Sequence, residues 1–198
     1  MIVSTGMSWL EEVDQAVKAI RSVSNVPLAL LHCVSNYPAE SDDCNIRALD
    51  AMREAFRVPI GFSDHTRGLV ASIAAVARGA SIIEKHITLD RTMPGPDHQA
   101  SCDPREFAAF VQAIREAEAA LGDGVKRPAE AEYPTREVAR KSVVALVDIP
   151  RGKPVTREML GIRRPGTGIP PADLDRLVGR AHREDIPAGS LLTWETAI

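Results

Sequence analysis

The sequence predicts an α/β domain built around a parallel sheet, followed by a smaller domain rich in β-structure. In the first part, short apolar segments alternate four times with amphipathic helical patterns, at intervals of about 25–30 residues. This alternation is typical of βαβ units, in which consecutive strands run parallel. After Gly122 the helical periodicity ends, and short β-type segments punctuated by proline and glycine follow.

Four strands and four helices are predicted in the first part. The second strand segment, PLALLH at residues 27–32, is continuously apolar, as expected for a strand that is buried on both faces. Ser8 is the predicted N-cap of the first helix, with Glu11 three residues later completing a capping box. The first predicted strand ends at residue 3 and the others occupy residues 27–32, 59–63 and 81–86, while the predicted helices occupy residues 8–22, 45–56, 69–78 and 104–121.

The second part is expected to form a domain of its own. Residues 125–140 are charged and contain proline, so we predict a linker there, between a first domain at 1–124 and a second at 141–198. Short β-type segments lie at residues 142–147, 160–163 and 191–194. The segments DIPRGKPVT, from Asp148, and DIPAGSLLT, from Asp185, are near repeats, which predicts two turns related by an internal pseudo-symmetry.

Composition disfavours several functional classes. The 198-residue chain has a net charge of −3 with both signs interspersed, so no basic surface for nucleic acid is expected. No apolar segment approaches the ~20 residues of a membrane-spanning helix, and the first residues lack the pattern of a secretory signal. Three cysteines without a CxxC pair favour free thiols over disulfides. We therefore expect a cytoplasmic protein that binds neither nucleic acid nor membranes.

Each predicted strand ends on polar residues, and the carboxyl ends of the strands in a β/α barrel gather on one rim. His65 and His86 follow neighbouring strands and are flanked by Asp64 and Glu84. Two converging imidazoles can hold a divalent metal ion while leaving positions open for a substrate. The alternative is that each histidine is a hydrogen-bonded residue at a strand end.

Cys33 lies beside His32 and could suggest a nucleophile. No third group is available to orient it, so a packed thiol is expected there instead.

Other polar residues at these strand ends allow more than one interpretation. Ser4, Ser35 and Ser63 either bind an anionic ligand through hydroxyl and neighbouring N–H groups or serve as N-caps. Asp97, in a loop rich in proline and glycine, either binds sugar hydroxyls or belongs to a tight turn. Lys85 is expected to point away from its two neighbours in the strand and to form a structural ion pair.

Six motifs cover nearly the whole chain. They are STGM at residues 4–7, HCVSNYP at 32–38, GFSDHT at 61–66, IIEKHITLDR at 82–91, PGPDHQAS at 94–101 and RRPGTGI at 163–169. In this order they resemble the N-acetylneuraminate (sialic acid) synthase family, which includes legionaminate, pseudaminate and spore-coat sugar synthases. The resemblance implies that the first domain is the C-terminal half of a TIM (β/α)8 barrel and the second a SAF, or antifreeze-like, domain of the β-clip type.

The resemblance implies a condensation of phosphoenolpyruvate (PEP) with the open-chain aldehyde of an N-acetylmannosamine-type sugar. C3 of PEP attacks the aldehyde carbon, water adds at C2, and phosphate leaves by C–O cleavage. His65 and His86 fall on the positions that bind a divalent metal, Mn²⁺ with Mg²⁺ as the alternative, which polarises the aldehyde. Together with Glu84 they are the implied catalytic residues.

The motifs also imply a set of substrate contacts. Arg164 matches an arginine that reaches the sugar N-acetyl group in the partner subunit, across a domain-swapped homodimer. The implied contacts to PEP are Ser4, Ser35 and Ser63, and those to the sugar are Tyr37 and Asp97.

The resemblance further implies that part of the site lies outside this sequence. Serines alone cannot neutralise PEP, and the family's lysines lie on barrel strands that precede the matched motifs. A full barrel takes about 250 residues, so we expect a fragment or a split gene product, inactive unless complemented. The alternatives are an N,N'-diacetyllegionaminate synthase, a non-catalytic sugar-binding or assembly fragment, and an unrelated metal-dependent aldolase, which the PGPDH and RPGTG motifs disfavour.

Overall fold

The computed structural model describes residues 1–195 and divides into two compact units, one from Met1 to Val125 and one from Lys126 onward. In the first unit, four strands alternate with four helices, as the sequence predicts. The strands are β1 (Ile2–Ser4), β2 (Ala29–Cys33), β3 (Ile60–Asp64) and β4 (Ile83–Lys85), and the helices are α1 (Leu10–Val23), α2 (Ala48–Phe56), α3 (Val70–Ala77) and α4 (Pro104–Leu121).

The four strands form one parallel sheet in the order β1-β2-β3-β4. Its main apolar core lies between the strands and the helices. Leu30 and Phe62 of the sheet are almost fully buried and pack in one cluster with Val17 of α1 and Leu49 of α2. The sequence-based expectation of a mixed α/β unit with a parallel sheet is therefore confirmed.

The N-terminus of α1 differs from the prediction by one residue. Trp9, not Ser8, is the N-cap, and Glu12 rather than Glu11 returns to it, with Glu12 Oε2 accepting a hydrogen bond from the Trp9 backbone N–H at 2.7 Å. The predicted capping box is therefore wrong in register. The reason is that the chain turns between residues 5 and 8, where Ser8 N–H donates to Thr5 O at 3.3 Å, so the helix begins later.

The second unit contains helix α5 (Tyr133–Ala139) and two antiparallel strands, β5 (Ser142–Ala145) and β6 (Leu160–Arg163). Helix α5 falls within the predicted linker, so that segment is partly helical. The third predicted β segment, residues 191–194, forms no strand, and Leu191 makes a single antiparallel bridge to Val144. Among residues 1–195, no helix combines the length and apolar character that crossing a bilayer requires.

The two near repeats of the second unit pair with each other in a reciprocal way. Ile149 and Ile186 exchange backbone hydrogen bonds of 2.8 and 2.9 Å. The aspartate that opens each repeat accepts a hydrogen bond from a backbone N–H three residues into the other repeat, which confirms the predicted pseudo-symmetry. These pairs are Asp148 with Ala188 and Asp185 with Arg151, each at 2.7 Å.

Candidate active site

The pairing of the strands places three polar side chains side by side near the carboxyl edge of the sheet. Cys33 of β2 pairs with Ser63 of β3, and Ser63 pairs with Glu84 of β4. Paired residues of neighbouring parallel strands share a face of the sheet. Ser63 Oγ accordingly donates a hydrogen bond of 2.6 Å to Glu84 Oε1. We call this face, defined by Cys33, Ser63 and Glu84, the front face.

The two predicted metal ligands lie just beyond the strand ends, on the same side as the front face. His65 lies two residues after Ser63, and His86 lies two residues after Glu84. Their ring centroids are 5.0 Å apart in an edge-to-face arrangement. Cys33 Sγ lies 3.9 Å from Nε2 and 4.0 Å from Nδ1 of His65. The Cys33 thiol is thus packed, as expected, but it packs against a site residue. The structure thus brings the two imidazoles together, and their binding of a metal stays a prediction.

The opposite face of the same strand ends carries a buried ion pair. Lys85 Nζ lies 3.2 Å from Asp64 Oδ2, and the exposed fractions of the two side chains are 3% and 0%. Asp64 also accepts hydrogen bonds from the N–H and hydroxyl of Thr66 and from Ser72 Oγ, at 2.6–2.8 Å. Lys85 donates in addition to the Thr66 carbonyl. The predicted structural ion pair of Lys85 is confirmed, and Asp64 points away from the histidines.

Tyr37 joins the two histidines from the loop after β2. Its ring stacks on His86 at a centroid distance of 4.2 Å and meets the edge of His65 at 5.2 Å. Its hydroxyl lies 3.0 Å from Ser101 Oγ. Burial raises the pKa of Tyr37 above its usual value, so the phenol is protonated at neutral pH. Three aromatic rings from three strand ends therefore form one cluster.

The serines predicted to contact PEP occupy different environments. Ser4, at the end of β1, is exposed, whereas Ser63 is buried against Glu84. Ser35 lies against the loop that follows β1, because a Cβ added to Gly6 would overlap Ser35 Oγ. The close approach explains the glycine and brings the loops after β1 and β2 together. The roles of the three serines in anion binding stay predictions.

The two remaining predicted contacts lie at the surface of their units. Asp97 is exposed, in the loop between β4 and α4, and its carbonyl accepts hydrogen bonds from the N–H and hydroxyl of Ser101, at 3.1 and 2.7 Å. Arg164 belongs to the second unit, is exposed, and donates from Nε to the carbonyl of Ala139 at 3.1 Å. Their roles in sugar binding stay predictions.

The donors present fit a divalent ion in part. Imidazoles such as those of His65 and His86 suit Zn²⁺, Cu²⁺, Fe²⁺ or Ni²⁺, whereas Mn²⁺ and Mg²⁺ favour oxygen ligands; the two rings lie next to each other. Within residues 1–195, however, no group of three or more histidine, cysteine, aspartate or glutamate side chains is gathered closely enough to hold a metal. A divalent ion held by these two imidazoles would therefore need its other ligands from substrate, from water or from residues beyond this group.

Two contacts of the site were not predicted from sequence. Ser101, which closes the PGPDHQAS motif, lies 3% exposed between Tyr37 and the Asp97 carbonyl. Its place at the end of a motif pointed to a functional role, but a serine just before α4 is equally well explained as part of the start of that helix. The contact of Cys33 with His65 follows from strand register, which the sequence does not state.

Two family models match the chain. A model described as the NeuB family matches residues 1–126, and a model described as the SAF domain matches residues 140–196. The matches fall on the first and second units of the structure, respectively.

Curated relatives with known activities match nearly all of the chain. The N,N'-diacetyllegionaminic acid synthase of Legionella pneumophila is 43% identical over 200 residues, which cover 98% of this chain and 56% of that protein. The N-acetylneuraminate-9-phosphate synthase of Homo sapiens is 39% identical over 91% of this chain and 50% of that protein. The chain therefore spans about half the length of the curated relatives it matches.

Solved structures give a similar result. The spore coat polysaccharide biosynthesis protein spsE of Bacillus subtilis is 31% identical, with a TM-score of 0.58 over 100% of this chain and 61% of that one. The similarity thus extends from sequence to three-dimensional structure.

Proposed function

The chain belongs to the NeuB family and carries a SAF domain after its family-matched unit, and we propose that it supplies the metal-binding half of a nonulosonic acid synthase. The observation that carries the proposal is the cluster formed by His65, His86 and Tyr37 at the carboxyl edge of the parallel sheet. Relatives that span both units are synthases of N-acetylated nonulosonic acids. The four-stranded sheet would be the second half of a (β/α)8 barrel, whose active sites lie at that edge.

The proposed reaction balances as PEP plus an acetamido-sugar aldehyde plus water, giving a nine-carbon 2-keto acid and inorganic phosphate. The C3–C1 bond forms as C3 of PEP attacks the aldehyde carbon. Water then adds at C2, and the C2–O bond to phosphate breaks. A divalent ion, Mn²⁺ or Mg²⁺, held by His65 and His86 would supply Lewis-acid polarisation of the aldehyde oxygen.

The chain's own residues would position the two substrates. Tyr37, fixed by its stack on His86, would contact the sugar together with Asp97. Ser4 and Ser35 would donate hydroxyl protons to oxygens of PEP. Ser63 donates its single proton to Glu84, so it can bind PEP as a donor only after that hydrogen bond breaks. The Glu84 carboxylate would then be free to accept a proton from the water that adds at C2.

The charge of PEP argues that this chain forms only part of the site. Lys85, at the end of β4, forms an ion pair with Asp64 on the opposite face of the sheet, so it does not face the histidines. Lysines that neutralise PEP would have to come from residues beyond the matched half of the barrel. We propose that activity requires these residues together with the preceding half of the barrel.

The sugar is proposed to be N-acetylmannosamine or a related 2-acetamido sugar, with the diacetamido precursor of legionaminic acid as the alternative. The similarity to the Legionella pneumophila relative supports the alternative, and the similarity to the human relative supports the first choice.

The experiment that tests the proposed function measures phosphate release from PEP with each sugar and Mn²⁺. It is run with the chain alone and with the chain co-expressed with the preceding half of the Legionella pneumophila synthase.

Sugar-dependent phosphate release is expected from the complemented protein and not from the chain alone. If the co-purified, folded complex released no phosphate with any of the sugars, a non-catalytic sugar-binding or assembly role would take the place of this proposal.

A further inference from the structure

Tyr37, Ser101 and the Asp97 carbonyl form a chain of hydrogen bonds at the edge of the proposed sugar site. The Tyr37 hydroxyl lies 3.0 Å from Ser101 Oγ, and Ser101 Oγ lies 2.7 Å from Asp97 O. Ser101 is 3% exposed, so solvent does not compete for its hydroxyl group. Each link has the length of an ordinary O–H···O hydrogen bond.

The direction of each hydrogen bond follows from counting protons. A backbone carbonyl can only accept, so the bond between Ser101 and Asp97 O must use the single hydroxyl proton of Ser101. The reverse arrangement would leave two oxygen lone pairs 2.7 Å apart with no proton between them. Ser101 therefore has only lone pairs to offer Tyr37, and the Tyr37 hydroxyl must be the donor.

We infer that Ser101 sets the polarity of Tyr37, which presents only lone pairs to the site and so recognises a hydrogen-bond donor, an O–H or N–H group, on the bound sugar. The recognition of a sugar rests on the proposed function, whereas the polarity itself does not. The position of the Tyr37 oxygen is fixed, because the ring is stacked on His86 and meets the edge of His65. Ser101 is thus a positioning residue that acts through Tyr37.

The polarity has a consequence for the chemistry of the site. Because the single hydroxyl proton of Tyr37 is directed at Ser101, Tyr37 cannot act as a proton donor to the aldehyde oxygen while the chain of hydrogen bonds is intact.

The first test reads the polarity without substrate. The sequence contains two tyrosines, so Tyr133→Phe leaves Tyr37 alone. In this background the tyrosine doublet of the Raman spectrum, whose intensity ratio distinguishes a phenol that donates its hydrogen bond from one that accepts, reports on Tyr37 at neutral pH. With Ser101 in place the ratio should be that of a donor; Ser101→Ala removes the acceptor, so the ratio should move away from the donor value, and Ser101→Thr, which keeps the hydroxyl, should restore it. An acceptor-type ratio for Tyr37 with Ser101 in place would overturn the inference.

The second test uses substrate and leaves Ser101 in place, so it does not depend on how Ser101→Ala folds. In the complemented enzyme, sugars in which one hydroxyl at a time is replaced by O-methyl or fluorine, both of which can only accept, are compared with the parent. At one position the replacement should lower kcat/KM about tenfold or more. Tyr37→Phe should remove that difference. If wild type and Tyr37→Phe discriminated equally between the parent and the substituted sugars, Tyr37 would not recognise a hydrogen-bond donor.

The two tests separate the inference from the proposed function. A donor-type Raman ratio for Tyr37, together with no turnover of any sugar, would uphold the polarity and reject the synthase activity. Turnover together with an acceptor-type ratio would uphold the synthase activity and reject the polarity.

Discussion

Lys85 Nζ lies 3.2 Å from Asp64 Oδ2 in a pocket with almost no solvent exposure, directly behind the two histidines of the candidate site. Asp64 immediately precedes His65, and Lys85 immediately precedes His86. Because neighbouring residues of an extended strand point to opposite faces, the ion pair behind the sheet holds the backbone that presents the two imidazoles in front.

Breaking this ion pair should destabilise the first unit strongly. Asp64→Asn leaves the Lys85 ammonium buried without its counter-charge, which costs about 3–5 kcal/mol in the free energy of unfolding. Lys85→Met should cost a similar amount, and the double variant less than the sum, because neither charge is then left alone. Urea denaturation followed by far-UV circular dichroism, which reports mainly on the four helices of the first unit, measures these losses.

The matched control for the ion pair is Asp14→Asn. Asp14 pairs with Lys18 on the surface of α1, with 44% and 73% of the two side chains exposed. An exposed pair contributes about 0–1 kcal/mol, so this variant should be close to wild type. Equal losses in Asp14→Asn and Asp64→Asn would contradict the role given to the buried pair.

Gly6→Ala should disturb Ser35 rather than the fold. An added Cβ would overlap Ser35 Oγ, but it would lie 3.5 Å from Ser35 Cβ, so the hydroxyl can rotate away while the loop stays in place. The free energy of unfolding should change by less than about 1 kcal/mol. The KM for PEP in the complemented enzyme should rise about tenfold, as expected for the loss of one hydrogen bond to a charged group.

The double variant supplies the check on this prediction. If both substitutions remove the same hydroxyl contact, Gly6→Ala combined with Ser35→Ala should raise the KM for PEP no more than Ser35→Ala does. Independent, multiplying effects of the two substitutions would show that Gly6 acts by another route.

The second unit should lose stability on mild acidification because of His182. This side chain is fully buried, and burial lowers its pKa below the ordinary value of about 6.5. Below pH 6.5 the unfolded chain binds a proton that the folded chain does not, so stability is complete above that pH. It then falls by up to about 1.4 kcal/mol per pH unit until the pKa of folded His182 is reached.

The measurement is denaturation between pH 7.5 and 5.5 in a Trp9→Phe background, a range in which carboxylates stay mostly ionised. Trp194, which stacks with Arg176 at 5.1 Å, then reports the second unit. His182→Gln should flatten the dependence on pH. A slope that persists in His182→Gln would assign the effect to other groups.

The order of strands and helices in the first unit could be predicted because their apolar segments have a clear length and period. The face to which Lys85 points followed from strand alternation alone, and its partner proved to be Asp64. Boundaries were less accurate: the cap of α1 fell on Trp9 because of a turn between residues 5 and 8, which the Ser8 and Glu11 pattern did not reveal.

The candidate site was predictable as far as it depends on which residues end the strands. The approach of His65 to His86 needed only the knowledge that their strands are neighbours. The roles of Ser101 and Cys33 were not predictable. The role of Ser101 depends on how the loop between β4 and α4 returns to Tyr37, and the role of Cys33 depends on strand register. Both are set by tertiary packing rather than by local sequence.

The most direct test of the metal-dependent condensation is phosphate release by the complemented enzyme, with and without Mn²⁺, for wild type, His86→Ala and His32→Gln. His32 is the matched control, because its ring packs near Phe62 and bonds to the Cys44 carbonyl at 2.8 Å, away from the cluster. Wild type and His32→Gln should show Mn²⁺-dependent release that requires the sugar, and His86→Ala should lose it about 100-fold or more. A folded His86→Ala variant that kept the Mn²⁺-dependent rate would contradict the assignment of the two histidines.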